Sequence, residues 1–279
     1  MYIDSHCHLD FAELRTLLPD VLSAMQQAQV GGALCISTTM ETFPAVLELA
    51  QQHPQLWATV GVHPDNEGVH EPSVAELLAG AQQPRVVGIG ETGLDYYRLG
   101  ERSLADMEWQ RERFRVHIRA ARRCGLPLVI HTRAAADDTL AILKEEGGFV
   151  PSADPTPELP PARGVFHCFT ESAELAQAVL ELGFYISFSG IITFRNAAEL
   201  RQVVSLVPLE RCLIETDSPY LAPAPHRGKL NTPAYVPHVA QQLAATKGLS
   251  LPQVAQATTA NFLRLFSAVS LPVELTPAA

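Results

Sequence analysis

Short apolar runs rich in β-branched residues recur along the chain, separated by longer stretches in which apolar residues return every three or four positions. The runs cover residues 2–6, 33–37, 56–62, 86–90, 126–131, 164–167, 184–188 and 212–215. Their length and composition predict strands. The stretches between them read as amphipathic helices. Leu14, Leu17, Leu18, Val21, Leu22 and Met25 form one apolar face, Val46, Leu47 and Leu49 a second, and Leu77 with Leu78 a third. Met107, Phe114, Val116 and Ile118 mark a long fourth helix. Gly125 closes it, because a glycine just past a helix turns left-handed without a Cβ penalty. Leu140, Ile142 and Leu143 mark a fifth helix. Leu175, Ala178, Val179 and Leu182 mark a sixth, closed by Gly183, and Leu200, Val203 and Val204 a seventh, ended by Pro208. Residues 236–247 and 252–266 read as terminal helices.

Eight strands alternating with helices match a (β/α)8 TIM barrel, although a doubly wound open sheet shows the same alternation. The polar residues separate the two. Strand ends run into His6-Cys7-His8, His63-Pro64-Asp65, Glu91-Thr92-Gly93-Leu94-Asp95, His131-Thr132-Arg133, His167-Cys168 and Glu215-Thr216-Asp217. Barrel active sites sit at the C-terminal ends of the strands and draw groups from several of them. An open sheet does not bring its first and last strands together, whereas a closed barrel does. The pattern therefore favours the barrel, with residues 1–267 as one domain and 268–279 as a tail.

Each of these residues has an ordinary reading by itself. His131 fits a core histidine, Glu91 a turn cap, and Asp217 before Ser-Pro a helix cap. His6 and His8 stand two apart, so an extended strand aims both imidazoles the same way. Four histidines and two carboxylates in equivalent places point instead to a divalent metal, for which imidazole is a common ligand.

Composition narrows the setting. Of 279 residues, 47% are hydrophobic and 18% charged, as in ordinary globular chains. No apolar run approaches the roughly 20 residues of a membrane span, and no basic-then-apolar signal opens the chain. A cytoplasmic protein with no membrane and no obligate protein partner is expected, a monomer by default for a closed barrel of this size. Five cysteines without a C-x-x-C argue against a disulfide framework. The net charge is −10. The one dense basic cluster, Arg111 to Arg123, is interleaved with Glu108 and Glu112 and reads as a solvated helix face. Positive field for an anionic substrate would have to come from bound cations.

The motifs D-S-H-C-H-L-D at 4–10, G-V-H-P at 61–64, G-E-T-G-L-D-Y at 90–96, H-T-R at 131–133, H-C-F at 167–169 and E-T-D-S-P-Y at 215–220 together resemble the TatD family of metal-dependent deoxyribonucleases, within the amidohydrolase superfamily. The resemblance covers nearly the whole chain. It implies a (β/α)8 barrel and metal ligands at His6, His8, Glu91, His131, His167 and Asp217, with Glu91 bridging two divalent ions. It further implies cleavage of phosphodiester bonds in DNA by a metal-activated water, exonucleolytic on single strands. Glu91 and Asp217 are the expected catalytic residues, Asp217 accepting the proton of the water. Four imidazoles suit zinc or another transition metal, so such an ion is expected to bind readily, with magnesium or manganese supporting turnover. The superfamily also holds hydrolases of small amides, lactones and carbamates, which stand as the alternative.

Substrate contacts are expected from His63, Tyr96, Arg133, His226, Arg227, Lys229 and Asn231, with Tyr96 and Tyr97 offered as stacking surfaces, one of them equally suited to the core, and the 222–233 loop as a phosphate grip. Glu215, on the inward face with Asp217, is expected to support a ligating imidazole. A proline-rich insertion at 147–163 follows a helix and precedes a strand, which places it at the opposite end of the barrel.

Overall fold

The computed structural model describes residues 1–149 and 159–271. The chain alternates β1 (Tyr2–Cys7), α1 (Ala12–Arg15), α2 (Leu18–Gln27), β2 (Val30–Cys35), α3 (Phe43–Gln52), β3 (Leu56–Val60), α4 (Val74–Ala81) and β4 (Val86–Asp95). It continues through α5 (Glu108–Cys124), β5 (Leu128–Arg133), α6 (Ala136–Glu146), β6 (Gly164–Phe166), α7 (Ala173–Glu181), β7 (Tyr185–Phe188), α8 (Ala198–Leu206), β8 (Cys212–Ile214), α9 (Val236–Lys247) and α10 (Leu251–Leu265). The eight strands pair in parallel and in chain order. The ring closes through a bridge between Cys7 and Ser218, with Asp217 N–H on the His6 carbonyl at 2.9 Å and His8 N–H on the Ser218 carbonyl at 2.8 Å. This is the (β/α)8 barrel. The expected first helix is two, α1 and α2, and Gly125 ends α5 at φ 72° as its position demands.

Period-two alternation fills the barrel. Ile3, Leu34, Trp57, Val87, Val129, Val165, Tyr185 and Leu213 each come from a different strand and form one buried cluster. Phe262 and Phe266, at the end of α10, plug its lower end. Gly32 is needed there, because a Cβ would lie 2.5 Å from the Trp57 ring. The other faces of the strands pack against the helices, so the interior is apolar at the bottom and turns polar toward the mouth.

Four of the six arginines of α5 are spent on ion pairs. Arg111 meets Glu108, Arg115 meets Glu108 and Glu145, Arg119 meets Glu112 and Glu146, and Arg113 meets Glu71. Arg122 instead donates to the carbonyls of Glu146, Leu159 and Pro160. These bonds tie both flanks of the proline-rich segment to the lower end of the barrel, away from the mouth. Residues 150–158 of that segment, with Pro151, Pro155 and Pro157, and residues 272–279 of the tail lie outside the described residues. No helix among the described residues is long and apolar enough to cross a membrane.

Two outcomes test this account. Phe262→Ala should cost about 3–5 kcal/mol of stability, measured by urea unfolding, since it opens the plug; a loss under about 1 kcal/mol would disprove the plug. His117 gives a pH signature. It is fully buried, donates Nδ1–H to the Arg113 carbonyl at 2.7 Å and accepts Val62 N–H at Nε2 at 3.1 Å. Burial lowers it from 6.5 to about 4. The unfolded chain takes up that proton first as pH falls, so stability is full above about 6.5, declines between 6.5 and 4, and is not reduced further by this group at lower pH. His117→Gln keeps an acceptor for Val62 without titrating. From pH 7 to pH 5 the variant should lose about 2 kcal/mol less than the parent; equal losses would remove the assignment.

Candidate metal centre

Two irregularities in the strands aim the key side chains. Between Asp4↔Ala33 and Cys7↔Cys35, β1 uses three residues to span two of β2. Between Ile89↔Leu128 and Thr92↔Ile130, β4 does the same against β5. Such bulges bend a strand and redirect a side chain, and they fall at His6 and Glu91. Gly93 lets β4 continue past the bulge. Its φ is +126°, and a Cβ would lie 1.9 Å from the His131 carbonyl.

Glu91 is buried at the centre. Its Oε2 stands 3.4 Å from His6 Nε2 and 3.9 Å from His8 Nε2. Its Oε1 stands 2.8 Å from His167 Nε2, 3.4 Å from His131 Nδ1 and 3.3 Å from His63 Nε2. Asp217, held by its N–H on the His6 carbonyl, brings Oδ1 to 3.6 Å from His6 Nε2 and 3.5 Å from His8 Nε2. The structure thus gathers His6, His8, Glu91, His131, His167 and Asp217 at one mouth, with His63 beside them.

The outer bonds decide which ring atoms face inward. His8 Nδ1 lies 3.3 Å from the Ile36 carbonyl, which can only accept, so Nδ1 carries the hydrogen. His167 Nδ1 lies 3.3 Å from Glu215 Oε1, and His131 Nε2 lies 3.0 Å from Asp95 Oδ2. A neutral imidazole bonded outward through one N–H points its other lone pair inward. His8, His131 and His167 therefore direct lone pairs at carboxylate oxygens. His63 is reversed: its Nδ1 accepts Asp65 N–H at 3.0 Å, so Nε2 carries the hydrogen toward Glu91.

Lone pairs facing carboxylates repel unless a cation or protons stand between them. Protons show the demand. Burial alone would lower His167, but Glu91 and Glu215 push it well above its ordinary value. Burial would raise Glu91, yet His167, His63 and His6 hold it well below the carboxylate range. Burial likewise opposes ionisation of Asp217, but the bond from His8 and the neighbouring His6 hold it down. A divalent cation satisfies the same demand without protons. The set of imidazole nitrogens and carboxylate oxygens, three of its histidines with an outer N–H bonded to an acceptor, fits a metal. Three groups, His6-His8-Asp217, His63-Glu91-His131 and His6-His167-Glu215, bring their donor atoms within 4.8 Å of one another.

Glu215 is fully buried and also accepts Cys168 N–H at 2.7 Å. Asp95 and Asp4 were not expected here. Asp95 lies four residues beyond Glu91 on the same face of β4, which extends further than its apolar run. Asp4 lies two before His6 and accepts the N–H groups of His6 and Thr216, fastening β1 to the chain after β8. The period-two spacing from a ligating position was the available signal for both.

Two expected substrate contacts are corrected. Tyr96 is only 6% exposed, and its hydroxyl donates to Asp138 at 2.7 Å, so its ring faces the core. Asn231 is fully buried, and its amide donates to the Thr216 and Tyr220 carbonyls, so it shapes the loop and is not open to phosphate. His226 stacks on Tyr235 at 3.9 Å and meets His238 through Nε2 at 3.1 Å. Arg227 lies over Phe194 and Arg133 over Tyr97, while Lys229 is exposed.

Known proteins similar to this chain share its family and fold. The family described as TatD related DNase matches residues 3–267. A metal-dependent hydrolase of Escherichia coli K12, YcfH, is 44% identical over 268 residues, covering 95% of each chain. A protein of Salmonella typhimurium LT2 named 3′-5′ ssDNA/RNA exonuclease TatD is 33% identical over 256 residues, covering 90% of this chain and 93% of its own. The crystal structure of the TatD homologue YjjV from Escherichia coli K12 superposes with a TM-score of 0.84 at 30% identity, covering 95% of this chain and 98% of its own. The chain belongs to the TatD related DNase family and is a TatD-type metal-dependent hydrolase.

Proposed function

We propose that the protein hydrolyses phosphodiester bonds in single-stranded DNA from an end, using two divalent ions. The observation that carries this reading is the division of Glu91. One oxygen faces His6 and His8, the other faces His131 and His167. One carboxylate shared by two sets of donors is the arrangement that two adjacent ions need. The Salmonella relative's name supports single-stranded nucleic acid as the substrate and attack from an end.

His6, His8, Glu91 and Asp217 would hold one ion, and Glu91, His131 and His167 the other. When bound, such ions polarise a phosphoryl group and lower the pKa of an attacking water to roughly 7. The chain's own groups do the rest. Asp217 accepts the proton of the water at a carboxylate that its buried neighbours keep ionised. His63, part exposed and bearing its hydrogen on Nε2, shifts that donor from Glu91 to a phosphate oxygen entering from solvent. Asp95 and Glu215 orient His131 and His167 from behind. Magnesium or manganese would serve turnover, with zinc or another transition metal bound readily by the imidazoles.

Removing the shared carboxylate is the decisive test. Glu91→Ala, loaded with manganese and analysed by mass spectrometry of its metal, should retain at most one ion per chain. Its cleavage of labelled single-stranded DNA should fall on the order of 10²–10³-fold. Two retained ions with parental cleavage would refute the shared-ligand reading. Asp217→Asn, with metal content verified, should lower kcat about 10²–10⁴-fold, the usual contribution of a general base; unchanged kcat would exclude Asp217 from that role. Asp95→Asn should weaken metal binding about 10–100-fold in competition with a chelator, and parental affinity would show that Asp95 does not support His131.

A further inference from the structure

Of the large apolar side chains that are exposed among the described residues, two are aromatic: Tyr97, 61% exposed, and Tyr220, 57% exposed. Single exposed apolar residues need no explanation, but these two share a position. Tyr97 follows Asp95 by two residues and Tyr220 follows Asp217 by three. Each is fastened to its carboxylate residue: Tyr97 N–H donates to Asp95 Oδ1 at 2.9 Å, and Tyr220 N–H donates to the Asp217 carbonyl at 3.0 Å. Asn231 holds the Tyr220 carbonyl from the other side, which accounts for its burial. Tyr97 leaves the end of β4, and Tyr220 follows β8. In a closed ring of eight strands in chain order these lie four places apart, on opposite walls of the mouth.

Each ring is braced on one side. The Arg133 guanidinium sits 3.6 Å from the centre of the Tyr97 ring. Tyr220 meets Phe11 at 6.2 Å and 72°, and Phe11 stacks on the His8 imidazole at 4.8 Å and 17°. A braced, exposed aromatic face is what an unpaired nucleobase stacks on, at a gain independent of base identity. In a duplex the base faces are already taken by their neighbours. We propose that Tyr97 with Arg133, and Tyr220 with Phe11, are two base-stacking platforms on opposite walls, holding the nucleotides on either side of the scissile phosphate. The unit recognised is then a dinucleotide step of a single strand laid across the mouth from β4 to β8. This rests on the phosphodiesterase reading of the same site and adds how the strand is held.

The test compares the parent with Tyr97→Ala, Tyr220→Ala, Tyr97→Phe and Tyr220→Phe, all metal-loaded. The substrates are an oligothymidylate and an abasic oligomer of the same length. Binding is measured separately by fluorescence anisotropy of the labelled oligothymidylate, with each variant built on Asp217→Asn so that the strand persists. Each alanine variant should raise KM and Kd for the oligothymidylate about tenfold, with kcat changed less. Each phenylalanine variant should restore both. The parent should prefer the oligothymidylate to the abasic oligomer, and that preference should shrink in either alanine variant. Parental KM and Kd in both alanine variants, or an effect at only one tyrosine, overturns the two-platform proposal. Tyrosine-dependent binding without cleavage by the metal-loaded parent keeps the platforms and removes the phosphodiesterase reading. Absence of both binding and cleavage removes both.

Discussion

The architecture depends on one seam, where the chain after β8 returns to β1. Asp217 N–H on the His6 carbonyl and His8 N–H on the Ser218 carbonyl join residues more than two hundred positions apart. Asp4, accepting from the Thr216 backbone, reinforces the join from within. This seam does two things at once. It removes the free edges an open sheet would leave, and it delivers Asp217 beside the two histidines of β1. The same bond therefore completes the barrel and one side of the polar cluster. It also makes β4 and β8 opposite walls, which sets the spacing of every loop at the mouth.

The mouth is an electrostatic conflict held in place by packing. Glu91, buried in a bulge of β4, collects imidazoles whose outer nitrogens are bonded to Ile36, Asp95 and Glu215. Those outer bonds fix the rings, so the inward atoms cannot turn away from one another to relax. Such an arrangement costs stability when no positive charge stands at its centre. The apolar lower barrel, with Trp57 and the plug from α10, and the braced helix layer supply the rigidity that keeps it assembled. Strain concentrated at the functional end of an otherwise well-packed fold is the pattern expected of a site built to bind cations.

Much of this was legible in the residues. All eight strands were readable as apolar runs, because parallel strands buried on both faces carry near-continuous hydrophobic sequence. The polar ends were legible as a set, since each histidine or carboxylate has an ordinary reading alone but four histidines and two carboxylates in equivalent places do not. What escaped was set by three-dimensional pairing. The bulges at His6 and Glu91 depend on register with the neighbouring strand, which no local pattern encodes. Asp95 lay beyond the apolar run of β4, yet the strand continues because β5 pairs with it as far as Arg133. Tyr96 and Tyr97 are chemically equal in sequence. Only alternation along the extended chain, read from Asp95, sends the first into the core and the second to solvent. Asn231 likewise looks like a surface amide until the carbonyls of Thr216 and Tyr220 are found on it.

The charge of the chain then constrains how a nucleic acid can be held. With a net charge of −10 and four of the six arginines of α5 paired with glutamates, no broad basic surface among the described residues attracts phosphates. Proteins that rely on such surfaces lose affinity steeply with salt, because binding releases counterions from the strand. At the mouth the guanidiniums of Arg133 and Arg227 each lie on an aromatic ring. On the proposed reading, cations at the centre would attract one phosphate. Affinity for the rest of the strand has to come from contacts that do not depend on charge. The exposed aromatic rings fixed beside the carboxylates would meet that requirement under the proposed function, and an acidic protein would thereby hold a polyanion at one point without binding it along its length.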